Sequence, residues 1–425
     1  MKTIVLFGAG KSASVLIKYL IKEAQINHWK FIVADANKEM ILAKTGGSPF
    51  AEAVECNINN DEAREALIQK ATVVISMMPP ALHFLIAKDC VEYRKHLLTA
   101  SYLDPSIKSL QDEINHKKLL FLCEMGLDPG IDHMSAMKLI DKIKQDAGRI
   151  TSFKSHCGGL VAPGCDNNPW RYKISWNPRN VVLAGNAGAI YLQDGATQQV
   201  AYSQLFHNSH TVNVDGLDAL AYYPNRDSLS YIPVYKLQSA TTFMRTTLRY
   251  PAYFEGWSAI VDAGLTNDTT PLSPMPSSYN SWSVAIAPFV NEQNETMLNY
   301  LGLFSPEPLP ASAQTSADVL QFLLETKLAM QPTDRDMIVM LHQLEYERNG
   351  VIKKIESSLV VEGADNVHTA MAKTVGLPLG IAAKLILNGT LQLTGLHIPI
   401  LKEIYEPVLE ELEHEHIRFI ETEMD

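Results

Sequence analysis

Apolar runs and helical-period stripes alternate from the start of the chain. Thr3–Phe7 (TIVLF) is a β-prone apolar run that stops at Gly8-Ala9-Gly10-Lys11-Ser12-Ala13. Val15, Leu16, Tyr19 and Leu20 then recur at helical spacing, and a second apolar run, residues 31–34, closes on Asp35. Short, almost uninterrupted apolar stretches follow at 72–77, 96–101 and 119–124, with amphipathic stretches between them at 61–69, 81–90 and 107–116. Such runs predict parallel strands covered on both faces.

After Gly126-Leu127-Asp128-Pro129-Gly130 the texture changes. Residues 134–143 read as one more helix. From Ile150 the pattern turns β-rich and polar-interrupted, with strands expected at 150–156, 172–176, 181–184, 189–192 and 219–223. Gly, Pro and Asn punctuate it about every ten residues, which suits an antiparallel sheet. Helices are expected at 254–264 and 317–330, and two late strands at 337–344 and 351–361. The Pro/Ser-rich stretch 267–281 reads as a surface loop. From Asn366 the chain is helical again at 367–375, 380–387 and 404–418, with Leu377-Pro378 expected to break what would otherwise be one long helix. The acidic tail from Tyr405 keeps Leu409, Leu412 and Ile417 on one side, as a solvated helix packed on a core would.

This order defines an α/β protein: a doubly wound parallel sheet at 1–130, an inserted α/β domain at 131–365, and C-terminal helices at 366–425. The first thirty-five residues carry its chemistry. Strand, glycine turn, helix, strand and acid is the sequence a dinucleotide site requires. Gly8 permits the tight turn, Gly10 lets the backbone approach a pyrophosphate, and Ala13 lets the helix pack on the strand. Lys11 and Ser12 lie at the helix N-terminus, whose free N–H groups face the phosphates. Asp35 stands where a carboxylate accepts from the adenosine ribose. It would also repel a 2′-phosphate, and Ala36-Asn37-Lys38 contains no Arg, so NAD is expected before NADP. Ser76 and Pro79, at the end of the fourth strand, and Ser101-Tyr102, at the end of the fifth, fall where open parallel sheets bind ligands.

Composition narrows the class. A net charge of −11 leaves no basic stripe for nucleic acid. No apolar run reaches the length of a membrane span, and the chain opens on a strand rather than a charged leader. Five cysteines without a Cys-x-x-Cys argue against both a disulfide framework and a zinc ribbon, and a cytoplasmic enzyme with reduced thiols is the expectation.

Hydrolase templates are missing: there is no G-x-S-x-G and no H-E-x-x-H. Gly10-Lys11-Ser12 matches the end of a Walker loop, but Val5 stands where its first glycine belongs. His156 and Cys157 cannot pair along one strand, since neighbours face opposite ways. Cys157, expected at a strand end, either lines a pocket or is a buried thiol. Asp128 either bonds substrate nitrogen or caps the helix that follows. The long segment 158–179 contains Arg171, Lys173 and Arg179, and Arg226, Arg245 and Arg249 lie in aromatic, apolar surroundings. In an acidic protein such arginines suggest carboxylate clamps, with ion pairs such as Arg226–Asp227 as the alternative.

Several longer stretches resemble saccharopine dehydrogenase of the glutamate-forming type, also called saccharopine reductase. They are Gly126-Leu127-Asp128-Pro129-Gly130-Ile131-Asp132-His133, Ser155-His156-Cys157-Gly158-Gly159-Leu160, Tyr223-Pro224-Asn225-Arg226-Asp227-Ser228 and Thr247-Leu248-Arg249-Tyr250. Asp334-Arg335-Asp336-Met337 and residues 370–379 add to them, so the resemblance covers nearly the whole chain. It departs locally: Val161-Ala162-Pro163-Gly164-Cys165 replaces a Pro-Ala-Pro-Glu type of run. Asp35-Ala36 stands where fungal relatives carry a Cys-Arg pair for NADP.

The resemblance implies a Rossmann domain, an inserted domain whose sheet forms a homodimer, and helices that return to the first domain. It implies conversion of saccharopine, NAD(P)⁺ and water to glutamate, 2-aminoadipate 6-semialdehyde and reduced cofactor, or the reverse. It also implies that Ser101, Tyr102, Asp128, Arg226, Thr247, Leu248 and Arg249 contact saccharopine, with Cys157 and Gly159 nearby. Arg226 and Arg249 would clamp two of its three carboxylates, and Arg171, Lys173 or Arg179 the third. Asp128, Tyr102 and Cys157 are the candidates for proton transfer, Asp128 first. Two rival readings remain: a carboxynorspermidine dehydrogenase, which wants an acid-lined pocket for a polyamine, and a nucleotide sensor without turnover.

Overall fold

The computed structural model describes residues 1–424 as two compact units, Met1–Lys142 with Val367–Phe419 and Ile143–Asn366 with residues 420–424. The second is inserted in the sequence of the first. In the first unit, strands β1 (Thr3–Phe7), β2 (Lys30–Asp35), β3 (Ala51–Glu55), β4 (Val73–Ser76), β5 (His96–Thr99) and β6 (Leu120–Leu122) alternate with helices. Those used below are α1 (Ser14–Asn27), α2 (Lys38–Thr45), α3 (Asp61–Lys70) and α4 (His83–Glu92). The seven-stranded parallel sheet has the order Gly395–His397, β6, β5, β4, β1, β2, β3. That is a doubly wound sheet whose order reverses between β1 and β4, the place such sheets bind ligands.

β1 and β4 are buried along their whole length, as their uninterrupted apolar sequences require. Two polar side chains start helices: Asn37 and Asn60 each accept the N–H three residues on, capping the N-termini of α2 and α3.

The C-terminal region differs from expectation. Ala370–Asn388 is one helix, with Pro378 inside it rather than ending it. Gly376 and Gly380 lie directly against Leu16 and Tyr19 of α1, where a Cβ would come within 2.9 and 2.7 Å of them. Close packing on both sides of the proline thus offsets an interruption worth about 3 kcal/mol. By length and composition this helix could also cross a bilayer, against the reading that no run is long enough. It is 78% buried, which marks it as a core helix. The acidic helix is Lys402–His414, with Leu409 and Leu412 buried, and Ile417 is buried just past its end. The stretch 107–116 splits into Pro105–Lys108 and Gln111–His116.

The second unit holds a ten-stranded mixed sheet. Its strands are β7 (Arg149–Val161), β8 (Ala189–Gln193), β9 (Ala196–Val200), β10 (His210–Val212), β11 (Leu220–Pro224), β12 (Arg226–Asp227), β13 (Thr242–Arg249), β14 (Asp336–Arg348) and β15 (Val351–Glu362), with Ile420–Met424 on the edge beside β15. It is not purely antiparallel: β13 runs parallel to β7 at its centre. Residues 172–176 form no strand beyond a single bridge from Ile174 to Ala329. Residues 181–184 are not a strand either. Pro178–Val182 is a short helix with Asn177 as cap and Pro at its first position. An aromatic core of Trp170, Tyr172, Tyr223, Tyr253, Phe254 and Trp257 lies on one face of this sheet. A smaller cluster with Leu160, Met244, Leu248 and Val339 lies on the other.

Candidate active site

The glycine turn is shaped for a phosphate. Gly8 has φ +100°, and a Cβ there would come within 2.8 Å of the Met77 carbonyl oxygen. Only glycine lets β1 and the segment after β4 approach so closely. A Cβ at Gly10, by contrast, would meet no protein atom within 4 Å, so the space over that residue is open. Ala13 is fully buried, Ser12 half-buried and Lys11 exposed. Lys11–Ala13 is one 3-10 turn that leads into α1. These residues fit a dinucleotide pyrophosphate over Gly10, with Lys11 and Ser12 beside it.

Asp35 ends β2 as expected, but its carboxylate is engaged. Oδ2 accepts the Ala9 N–H at 2.8 Å and Oδ1 the Asn37 N–H at 3.0 Å. It therefore ties the glycine turn to the start of α2. Lys44 reaches the same corner and donates to the Gly10 carbonyl. Burial pushes its ammonium down to about 8, against the opposing pull of Asp35. The expectation of NAD rested on this carboxylate and on the absence of an arginine after β2; the structure brings in a cation from further along the chain, Lys44.

At the ends of β4 and β5 a residue missed in the sequence joins two that were singled out. His83 Nδ1 is 2.7 Å from Ser76 Oγ, and its Nε2 is 2.7 Å from Ser101 Oγ and 3.4 Å from Thr99 Oγ1. Ser76 is fully buried, so its hydroxyl belongs to this network and only its backbone is left for a cofactor. Burial holds the imidazole down at about 4, with Asp104 pulling weakly the other way. A neutral His with one donor and one acceptor nitrogen therefore fixes both hydroxyls. Pro79, three residues past Ser76, is exposed.

Next to Ser101, the Tyr102 hydroxyl donates to Asp128 Oδ1 at 3.2 Å. The loops that hold this pair are pinned by Glu124. One of its oxygens accepts the Leu103 N–H at 3.0 Å, and the other lies 2.7 Å from His133 Nε2. Asp132 accepts the Gly130 N–H at 2.6 Å. Glu124 is 4% exposed and His133 fully buried. Glu124 and His133, at either end of the junction between β6 and the helix that follows, were the available sequence signal for this scaffold.

The second unit places the other candidates on three neighbouring strands. Cys157 of β7, Thr247 of β13 and Tyr223 of β11 lie in one row, with Arg249 two residues further along β13. Cys157 is mid-strand, not at a strand end, because β7 runs on through Gly158 and Gly159 to Val161. Gly159 is partly exposed and pairs with Ile338. Leu248 points to the opposite face and is buried in the smaller cluster, so only its backbone shares a face with Thr247 and Arg249. His156 also faces away from Cys157 and bonds Thr246 and Gln343. Arg226 is exposed at φ +50°, and Asp227 spends its carboxylate on the N–H groups of Leu229 and Ser230.

The cations sort cleanly. Lys173 is buried against Asp334 at 2.7 Å, Arg171 binds Asp166 and Asp218, and Arg179 binds Asp318. Those three, candidates for a third clamp, are ion-paired within the protein. Arg245 lies over the Tyr231 ring. Arg249 is different. It is 3% exposed, stacks near Tyr172 and Tyr253, and donates through Nη1 to the Leu248 carbonyl, while its Nε has no hydrogen-bond partner. Burial works against its charge, but the surrounding tyrosine oxygens outweigh it and raise its pKa. It has no carboxylate partner among the described residues.

The chain matches known proteins over nearly its whole length. The saccharopine dehydrogenase NADP binding domain matches residues 4–122, and the saccharopine dehydrogenase C-terminal domain matches 126–417. The chain belongs to the saccharopine dehydrogenase family. It is 32% identical to the Saccharomyces cerevisiae saccharopine dehydrogenase [NADP(+), L-glutamate-forming], over 98% of this chain and 97% of that one. It is 33% identical to the Bos taurus mitochondrial alpha-aminoadipic semialdehyde synthase, over 98% of this chain. The chain spans about half the length of that relative and of its rodent counterparts (47%). A solved structure of the S. cerevisiae saccharopine dehydrogenase (L-Glu forming) superposes with a TM-score of 0.90 at 30% identity, over the whole of both chains. Homospermidine synthase from Legionella pneumophila shares the fold, at a TM-score of 0.58 and 11% identity.

Proposed function

We propose that this chain oxidises saccharopine with NADP⁺ and water to glutamate and 2-aminoadipate 6-semialdehyde, or runs the reverse. Two relatives in the family, from S. cerevisiae and Schizosaccharomyces pombe, are named for that reaction with NADP(+). The observation that carries the substrate side is Arg249, a buried guanidinium with an unspent donor in a protein of net charge −11. A carboxylate would complete it, and saccharopine carries three. A polyamine substrate would gain nothing from it.

When bound over Gly10, the dinucleotide supplies a nicotinamide that takes hydride from the carbon beside the secondary amine. The chain's own groups do the rest. Arg249 and Arg226 bind carboxylates, and the Thr247 hydroxyl shares the face of Arg249. The Ser101 hydroxyl, set by His83, offers a hydrogen bond to the substrate. Asp128 is the first proton acceptor, since a carboxylate ordinarily carries its charge at neutral pH, and Tyr102 orients it. Loss of hydride leaves an imine, water adds to its carbon, and the carbon–nitrogen bond breaks as nitrogen takes a proton. Cys157, buried mid-strand, serves as wall rather than base.

Exposed Ile352, Val360, Ile420 and Met424 share one face of β15 and its edge neighbour, which supports a homodimer through this sheet. The deciding assay follows nicotinamide absorbance with saccharopine and each dinucleotide in turn, with the aldehyde product trapped. No absorbance change with either would end this reading.

A further inference from the structure

We propose that Lys44 is the residue that reads the adenosine 2′-phosphate in this chain, and so decides between NADP and NAD. The inference rests on the NADP reading above. Where NADP sites place an arginine, after the second strand, this chain has Asp35-Ala36-Asn37. A free carboxylate there would turn a 2′-phosphate away. Asp35 remains a carboxylate, but both its oxygens are turned to backbone N–H groups of the glycine turn and of the α2 start, so a 2′-phosphate here needs a cation to offset it.

The cation comes from elsewhere. Lys44, seven residues into α2, extends to the Gly10 carbonyl and lies close enough to Asp35 to feel its charge. The corner bounded by the glycine turn and the carboxyl end of β2 is where the adenosine ribose lies in this fold. There a half-buried ammonium with one peptide oxygen as partner gains far more from a phosphate dianion than from a ribose hydroxyl. Gly10 loses little when Lys44 turns away, since its carbonyl also accepts the Ala13 N–H at 3.0 Å. NAD presents only hydroxyls to the same ammonium, so Lys44 discriminates rather than merely binds.

The test is a fluorescence titration of the full chain with NADPH and with NADH, without substrate. Wild type should prefer NADPH. Lys44→Gln should weaken NADPH roughly 10–100-fold, as for loss of one charge-assisted bond, and NADH by less than about threefold. Lys44→Arg, which keeps the charge, should retain the preference, as should Lys38→Gln at the helix start. Equal weakening of both nucleotides in Lys44→Gln would assign the residue to holding the turn and overturn the inference. So would loss of the preference in Lys44→Arg. A wild-type preference for NADPH that survives Lys44→Gln overturns Lys44 alone. A wild-type preference for NADH overturns the NADP reading and this inference with it. None of these outcomes bears on saccharopine turnover.

Discussion

His83 and Ser101 are joined by a 2.7 Å hydrogen bond between Nε2 and Oγ, and the other ring nitrogen is equally committed to Ser76. The direction of these bonds matters for an anionic substrate. If Nε2 carries the proton, Ser101 accepts from the ring and its own hydrogen is free for a carboxylate. His83→Ala should therefore lower kcat/KM for saccharopine by about tenfold or more, as for loss of one buried polar contact. Dinucleotide affinity should change little. A matching loss in dinucleotide affinity would mean that the ring only props the β4 end.

The same ring makes stability sensitive to acid. His83 and His156 are both held down at about 4 by burial, whereas an unfolded His titrates near 6.5. Between those values the unfolded chain binds protons that the folded one does not. Stability therefore rises with pH across this window and is lost as pH falls from about 6.5 to 4. Each shift corresponds to roughly 3 kcal/mol at the acid limit. Urea unfolding at pH 7.5 and pH 5 should show that loss, and His156→Asn should make the slope shallower. A slope unchanged by the substitution would place the acid sensitivity elsewhere.

The dinucleotide candidates of the first unit were legible because their logic is local. Gly8, Gly10, Ala13 and Asp35 lie within one strand–helix–strand unit, and hydrophobic period and spacing place them. The candidates of the second unit lie on three neighbouring strands far apart in sequence. The central one, β13, went unread, since Arg245 and Arg249 break the apolar alternation that marks a strand. Both are buried there, Arg249 among aromatic rings and Arg245 over Tyr231. Pattern alone cannot tell such an arginine from the ion-paired Arg171 and Arg179. His83 was overlooked for a related reason: a lone His at a helix start carries no periodic signal. The helix at Pro178–Val182 could have been read from its cap and proline, which outweigh a short β-branched pair.

Arg249 gives a test that separates binding from folding. In the empty protein the surrounding tyrosines offset the burial of this charge, and among the described residues no ion pair is broken by removing it. Arg249→Met roughly keeps the volume and loses the contacts with Tyr172 and Tyr253 together with the burial of a charge. The apo Tm should change by no more than a few degrees, while saccharopine binding should weaken by about 2–5 kcal/mol. Lys173→Met should do the reverse. It strands the buried Asp334 and should cost about 3–5 kcal/mol of stability. An Arg249→Met protein with unchanged saccharopine affinity would remove that guanidinium from the site.

The two glycines of the turn separate space from strain in the same way. At Gly8 a methyl group would sit 2.8 Å from the Met77 carbonyl on a backbone already at φ +100°. Gly8→Ala should therefore lower Tm by several degrees, since neither strand can move without breaking the ladder that β1 shares with β4. At Gly10 a methyl group meets nothing in the protein, so Gly10→Ala should leave Tm within about a degree of wild type. Its effect should fall on the dinucleotide, whose pyrophosphate needs the space that the methyl group fills. Titration should show both NADPH and NADH weakened at least tenfold and by similar factors, because the pyrophosphate is common to them. Undiminished nucleotide affinity in Gly10→Ala would mean that the open space above this turn is not where the phosphates lie. The assignment of the glycine turn as the cofactor cradle would then fall.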